Sequence, residues 1–154
     1  MSTGKPPRKS RRKAREFALQ GLYQWALSGN SPDDIEKQLR EDKGYAQIDA
    51  EHFMAILRGV TAQTTQLDAL LQPYLNRPAT ELSPVEHAIL RLAVFEMQSH
   101  PEIPYRVIIN EAVELAKSFG GTDGHKYVNG VLDKLAIQVR PMEVNAKNQQ
   151  NRVG

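Results

Sequence analysis

Apolar residues recur every three or four positions along most of the chain, which is the spacing of one face of an α-helix. The first apolar stripe consists of Ala14, Phe17, Ala18, Gly21, Leu22 and Trp25. Gly29 and Asn30 follow it and predict the end of the helix. Because Trp25 lies within the stripe, we predict that its side chain belongs to the core, whereas Tyr23 lies at the edge of the stripe.

The next two helices are predicted from start signals and from a second apolar stripe. Ser31 and Pro32 are the N-cap and first-turn residues typical of a helix start, and two acids follow them. Apolar positions between residues 53 and 74 predict one long third helix, although its stripe weakens at Thr64. Asn76, Arg77 and Pro78 then interrupt the pattern.

A fourth helix begins at Ser83, where Pro84 occupies the first helical position and Glu86 has the spacing of a capping box. Residues 88–97 are apolar except for Arg91 and Glu96, and a helix that is apolar on nearly all sides belongs at the centre of a fold. We expect Arg91 to pair with a residue of another helix, since a buried charge requires a partner.

Two further stripes, over residues 107–119 and 127–139, complete the pattern. No strand hairpin and no internal repeat is evident. The sequence therefore predicts an all-α fold of about six to seven helices. We expect residues 10–140 to form the helical domain, residues 1–9 a basic flexible arm, and residues 141–154 a polar flexible tail.

Charge is distributed unevenly, although the net charge is only +2. The first 15 residues carry seven positive charges and no acid: Lys5, Arg8, Lys9, Arg11, Arg12, Lys13 and Arg15. Residues 16–140 carry 11 positive and 17 negative charges. A basic segment on an acidic body favours a polyanionic ligand, and arginine-rich segments favour RNA over DNA here. The alternative is a solubilising tail without a defined ligand.

Three other features are candidate binding positions, each with a structural alternative. Tyr23 is either an edge residue of the first helix or a contact for a protein partner. Glu86 either closes the capping box with Ser83 or contacts a partner. The turn at residues 122–127 opens the last helix, where Lys126 and Tyr127 suit an anion or a base, but it is equally typical of an ordinary capped turn.

Catalytic, metal and membrane signals are weak or missing in the sequence. The chain has no cysteine, which excludes disulfides, thiolate metal ligands and a thiol nucleophile. Its four histidines lack the spacing of metal ligands, and no phosphate-binding loop or nucleophile elbow occurs. No apolar run is long enough to span a bilayer. We therefore predict a cytoplasmic protein that is not an enzyme, with no catalytic residue, no metal, no cofactor and no membrane partner.

Three sequence blocks carry a resemblance to a known family. They are residues 11–25, containing Arg-Arg-Lys-Ala-Arg-Glu and Ala-Leu-Gln-Gly-Leu-Tyr-Gln-Trp; residues 85–96; and residues 109–134, containing Ile-Asn-Glu-Ala-Val-Glu-Leu-Ala-Lys-Ser-Phe-Gly and His-Lys-Tyr-Val-Asn-Gly-Val-Leu-Asp-Lys. The chain resembles the bacterial NusB family of transcription antitermination factors over about residues 8–140. Its N-terminal lead-in and its C-terminal extension are longer than the usual pattern.

The resemblance implies two packed helical halves and binding to the boxA element of RNA together with NusE, which is ribosomal protein S10 in a second role. It implies suppression of premature termination, chiefly in ribosomal RNA operons, with other Nus factors and RNA polymerase as indirect partners. The implied RNA-binding residues are Arg11, Arg12, Lys13, Arg15, Asp123, Lys126 and Tyr127. Lys9 precedes the usual start of the family and joins this predicted RNA-binding set because it belongs to the basic run. The implied NusE-binding residues are Tyr23 and Glu86.

Two alternatives accompany this interpretation. The same module occurs in ribosomal RNA cytosine methyltransferases, but without cysteine this chain lacks the nucleophile that they use. A protein-only helical adaptor or homodimerising module remains open, with the basic segment as a solubility tail. That alternative predicts no salt-dependent affinity for RNA.

Overall fold

The computed structural model describes residues 9–153, and within that range it contains eight α-helices, three short 3₁₀ helices and no β-strand. The α-helices are α1 (Arg11–Ser28), α2 (Pro32–Leu39), α3 (Ala50–Ala62), α4 (Thr64–Leu71), α5 (Pro84–Ser99), α6 (Tyr105–Phe119), α7 (Gly124–Val139) and α8 (Pro141–Val153). The 3₁₀ helices are Lys43–Gln47, Gln72–Tyr74 and Ala79–Glu81. The predicted all-α class is confirmed, with slightly more helices than the predicted six to seven.

The chain divides into two compact units, and the boundary between Gly59 and Val60 lies inside α3. The core of the first unit is formed by apolar side chains of α1, α2 and α3, together with Ile48. A Cβ at Gly21 would lie 3.2 Å from both Ile35 and Leu57, so glycine lets these helices approach closely. Trp25 is half-buried rather than a core residue, so that prediction is wrong.

Helix ends in the first unit follow the predicted capping chemistry. Ser31 accepts a hydrogen bond from Asp34 N at the start of α2, with Pro32 in the first turn. Gly29 ends α1 in the left-handed conformation, with φ of +71°, and its N–H donates to Trp25 O.

The predicted long third helix is two helices, α3 and α4. Gln63 separates them, because its backbone (φ −127°, ψ 24°) leaves the helical region. Leu67 and Leu71 of α4 are fully buried in the second unit. The weakening of the apolar stripe at Thr64 therefore coincides with the start of a new helix.

Helix α5 is the buried centre of the second unit, as predicted. Nine of its residues are buried, and Ser83 accepts a hydrogen bond from Glu86 N at its start. Arg91 pairs with Asp68 of α4, with its Nε and Nη2 atoms 2.9 and 2.6 Å from the two carboxylate oxygens. The expectation that Arg91 finds its partner on another helix is confirmed.

Residues 141–153 form helix α8, where the sequence predicted only a polar tail. Arg140 fixes its start, because the guanidinium donates to Met97 O, His100 O and Ile103 O at 2.8–3.1 Å and also binds Glu143. The other predicted extension, the basic arm, lies outside the described residues except for Lys9.

Candidate nucleic-acid interface

The first turn of α1 presents three consecutive basic side chains to solvent. Arg11, Arg12 and Lys13 are exposed, and no acid occurs in this turn. Ser10 caps the helix by accepting a hydrogen bond from Lys13 N at 3.0 Å. Because the N-terminus of a helix carries partial positive charge, three basic residues in the first turn do not stabilise the helix. Basic residues at such a position are more readily explained by an anionic ligand.

The segment of residues 46–49 holds this first turn in place. Ser10 N donates to Gln47 O at 2.9 Å, and Asp49 N donates to Ser10 O at 3.1 Å, so the two backbones form an isolated parallel bridge. Lys9 Nζ lies 2.6 Å from Ala46 O, and Lys13 Nζ lies 2.8 Å from Gln47 Oε1. Lys9, Lys13 and the backbone between them are therefore fixed to the neighbouring segment of the first unit.

Arg15 departs from the rest of the predicted RNA-binding set. Its side chain is only 4% exposed, because position 15 shares the inward face of α1 with Leu19 and Leu22. A buried guanidinium does not offer its donors to a ligand at the surface. The structure therefore leaves Lys9, Arg11, Arg12 and Lys13 as the exposed members of this set in the first unit.

The second candidate surface is the turn that opens α7. Asp123 and Lys126 are exposed and form an ion pair of 3.5 Å, and Asp123 occupies the N-cap position without a side-chain capping bond. Tyr127 is half-buried, and its hydroxyl donates to Asn76 Oδ1 at 3.2 Å. The turn therefore combines an exposed cation with a fixed aromatic ring.

Arg77 is a residue that sequence reasoning missed at this surface. Its guanidinium carbon lies 5.1 Å from the centre of the Tyr127 ring, which is the geometry of a cation–π contact. In the sequence, residues 76–78 indicated only the interruption of a helix. The separation of 50 residues between Arg77 and Tyr127 explains why local pattern did not pair them.

The two predicted partner-binding residues have different surroundings. Tyr23 is 40% exposed on α1, and Leu27, one turn further along the same face, is 62% exposed. Glu86 is half-buried, and its Oε1 would lie only 2.5 Å from a Cβ built on Gly124. Its carboxylate thus lies against the first residue of α7, where the partial positive charge of the helix start favours it.

The predicted residues fall into two groups by unit. Lys9, Arg11, Arg12, Lys13 and Tyr23 lie in the unit that ends at Gly59. In the second unit, Glu86 contacts the turn that contains Asp123, Lys126 and Tyr127. The predicted NusE-binding carboxylate and the predicted RNA-binding turn are therefore neighbours within that unit.

The described part of the chain contains neither a metal cluster nor a membrane span. Residues 9–153 contain no cluster of three or more histidine or acidic side chains that could hold a metal ion. No helix in that range is long and apolar enough to cross a membrane.

Known sequences resemble this chain over most of its length. The model of the NusB family matches residues 12–137. A protein of Nitrosospira multiformis called transcription antitermination protein NusB is 58% identical over 133 residues, which cover 86% of this chain and 84% of that protein. A protein of the same name from Dechloromonas aromatica is 55% identical, and the match covers 96% of this chain and 90% of that protein.

Solved structures give the same result at the level of the fold. NusB of T. maritima matches with a TM-score of 0.75 and 32% identity, covering 84% of this chain and 92% of that one. A chain from a crystal structure of the antitermination factors NusB and NusE in complex with double-stranded RNA matches with a TM-score of 0.74 and 28% identity, covering 81% and 94%. On the evidence of its sequence, its helices and these relatives, the chain belongs to the NusB family.

Proposed function

We propose that this chain is an RNA-binding transcription antitermination factor that binds boxA RNA together with NusE and suppresses premature termination, chiefly in ribosomal RNA operons. The observation that carries the proposal is the exposed basic first turn of α1, held in place by residues 46–49. Its relatives carry the name of antitermination proteins, and one structural neighbour belongs to a complex of NusB, NusE and RNA.

In this proposal the two basic surfaces have distinct tasks. Arg11 and Arg12 bind backbone phosphates as bidentate forks, and Lys9 and Lys13 add point charges. Contacts of this kind position RNA without reading its sequence. The turn with Asp123, Lys126 and Tyr127 supplies a second RNA contact, where an aromatic ring can stack on a base.

Protein recognition is assigned to Tyr23 and Glu86. A partly exposed tyrosine is typical of protein interfaces, and the half-buried carboxylate of Glu86 suits a basic side chain of NusE. The complex then joins other Nus factors on RNA polymerase in the cytoplasm. This role consists of binding and positioning, so it requires no bond-forming chemistry, metal or cofactor from this chain.

The test is the salt dependence of RNA binding. Affinity for a short boxA RNA is measured at several salt concentrations for the wild type and for Arg11→Ala/Arg12→Ala, with and without NusE. Each lost phosphate contact lowers the slope of log affinity against log salt by about 0.7–0.9, so the double variant is expected to lower it by about one to two. Lys37→Ala/Lys117→Ala, which removes two exposed charges outside the candidate surfaces, is the matched control.

The outcomes separate the proposal from its alternatives. Binding to boxA RNA that tightens with NusE and exceeds binding to a scrambled RNA supports the proposal. An unchanged salt slope in Arg11→Ala/Arg12→Ala contradicts the role of α1. Absence of salt-dependent RNA binding by the wild type would instead favour a protein-only adaptor or a homodimer.

A further inference from the structure

A cleft of about 860 Å³ lies in the first unit between the start of α1 and the segment that leads into α3. Lys9 and Arg11 line it from the basic turn, and Tyr45, Ile48 and Asp49 line it from the other segment. Its volume is within the range of sites that bind small ligands or parts of larger ones. Of these residues only Lys9 and Arg11 belong to the proposed RNA surface, so the cleft extends that surface to residues 45–50.

The two cations of the cleft retain capacity for a further anion. Lys9 donates to Ala46 O, but an ammonium group has three donors. Arg11 Nε lies 3.5 Å from Asp49 Oδ2, which is longer than a good hydrogen bond, and the side chain of Arg11 is 45% exposed. A phosphate in the cleft can therefore engage both side chains without displacing a strong contact.

Asp49 makes a bare anion a poor ligand for this cleft. Its Oδ1 accepts a hydrogen bond from His52 N at 3.0 Å, which fixes the carboxylate as the N-terminal cap of α3. Its Oδ2 faces Arg11, and the side chain is 29% exposed. A carboxylate accepts hydrogen bonds and repels phosphate, so a matching ligand carries a donor next to its phosphate. The ribose 2′-hydroxyl of RNA is such a donor.

Tyr45 and Ile48, which also line the cleft, are held by contacts with the core of the first unit. The Tyr45 ring meets Phe17 and Phe53 edge to face, with centroid distances of 6.1 and 5.9 Å, and its hydroxyl donates to Glu36 at 3.2 Å. Ile48 is almost fully buried. A site with fixed walls loses little conformational entropy when a ligand binds.

We propose that this cleft is a ribonucleotide subsite, in which Lys9 and Arg11 bind a backbone phosphate and Asp49 accepts a hydrogen bond from the adjacent 2′-hydroxyl. The inference rests on the proposed RNA-binding function and adds one property to it. Asp49 makes the chain prefer RNA to a DNA strand of the same sequence, because only RNA supplies the 2′-hydroxyl.

The experiment compares a boxA RNA with its 2′-deoxy counterpart, which keeps uracil so that the two strands differ only in the 2′-hydroxyl. Affinities for both strands are measured for the wild type and for Asp49→Asn, which retains the helix cap but replaces the anionic acceptor with an amide. We expect the ratio of RNA affinity to deoxy-strand affinity to fall about tenfold in Asp49→Asn, as for the loss of one hydrogen bond to a charged group.

Asp33→Asn is the matched control, since it removes the same charge from an exposed pair with Arg58 outside the cleft. It is expected to leave the affinity ratio unchanged. If Asp49→Asn raises both affinities equally, Asp49 acts only as a repulsive charge and the subsite is refuted. If the wild type binds RNA but does not discriminate against the deoxy strand, this inference fails while the proposed function stands. If the wild type binds neither strand, both fail.

A second variant tests the cleft without changing Asp49. Ala46 is exposed and lines the cleft, so Ala46→Trp fills part of it, and Ala26→Trp places the same ring on an exposed position of α1 as a control. We expect Ala46→Trp to weaken RNA binding about five- to tenfold relative to Ala26→Trp. Equal RNA affinities of the two variants would contradict occupation of the cleft.

Discussion

A single carboxylate, that of Asp68, binds both His87 and Arg91 of helix α5. Its oxygens lie 2.7 Å from His87 Nε2 and 2.6 Å from Arg91 Nη2. Burial by itself raises the pKa of Asp68, but the hydrogen bonds from Arg91 and His87 outweigh this effect and lower the pKa to about 2 from 3.8. The folded state therefore favours the ionised form of Asp68, and these contacts stabilise the fold less when the carboxyl is protonated.

Asp68→Asn is expected to lower the free energy of unfolding at pH 7 by about 2 kcal/mol, because the ionised form is favoured in the folded state. Because the pKa of Asp68 is lower in the folded state, its contribution to the free energy of unfolding reaches its full size above about pH 4, near the pKa of this carboxyl in the unfolded chain. This stability is lost as the pH falls through 2, so the difference between wild type and variant shrinks to roughly half by pH 3.

Urea unfolding between pH 7 and pH 3 measures this difference. Asp33→Asn serves as the exposed control, and its expected effect is below about 1 kcal/mol. A difference between wild type and Asp68→Asn that stays constant over this pH range would show that Asp68 contributes through packing rather than charge.

At Glu86, a structural role at the start of a helix can be distinguished by experiment from a role in binding NusE. Its backbone N–H binds Ser83, while its carboxylate lies against Gly124. Glu86→Gln keeps the size of the side chain and removes the charge, so we expect NusE affinity to fall about tenfold while the free energy of unfolding falls by about 1 kcal/mol or less. Binding and thermal melting are measured on the same samples.

Glu81→Gln removes an exposed acid from the preceding 3₁₀ helix and controls for net charge. If Glu86→Gln binds NusE as tightly as Glu81→Gln does, the carboxylate of Glu86 has a structural role only.

At the scale of elements, helix α8 depends on contacts that no local pattern reveals. Residues 141–154 have few apolar positions, and the sequence therefore predicts a polar flexible tail there. The helix is fixed at Arg140, whose guanidinium binds three backbone carbonyls near the end of α5, and at Glu143, whose carboxylate accepts from Tyr105 N at 2.8 Å. These partners are about 40 residues away in sequence, which is beyond the reach of helical periodicity.

Arg140→Lys is expected to destabilise the second unit by about 2–3 kcal/mol and to speed amide exchange in α8. An ammonium group cannot reproduce the planar fork that reaches three carbonyls, and charged hydrogen bonds in a half-buried site are costly to lose. Hydrogen exchange and urea unfolding measure the two effects. Arg58→Lys, in an exposed pair with Asp33, is expected to change neither quantity appreciably.

The predicted helix over residues 53–74 shows that apolar spacing identifies buried positions but does not locate a break between two helices. The apolar spacing correctly identified buried positions, including Phe53 and Leu67. It could not locate the break, because the break is a change of backbone angle at the polar residue Gln63. By contrast, caps at Ser31 and Ser83 were predictable, since a capping side chain bonds to a backbone group only a few residues away.

At the scale of the whole molecule, the uneven charge distribution made the basic surface predictable. The resemblance to the family added the second surface at residues 123–127. The resemblance places Arg15 in the RNA-binding set, although its spacing of four and seven residues from Leu19 and Leu22 already indicates the inward face of α1. Arg77 and Asp49 could not be found from the sequence, since each is defined by a contact with a distant segment.

The backbone bridge between Ser10 and residues 47–49 has a consequence for the thermodynamics of binding. Basic peptide segments that fold only on RNA must lose conformational entropy at the moment of association. From Lys9 to Lys13 this chain has already lost that entropy on folding, because backbone and side-chain bonds hold the turn to its neighbour. The first turn of α1 is therefore preorganised, and more of its electrostatic attraction is available as affinity.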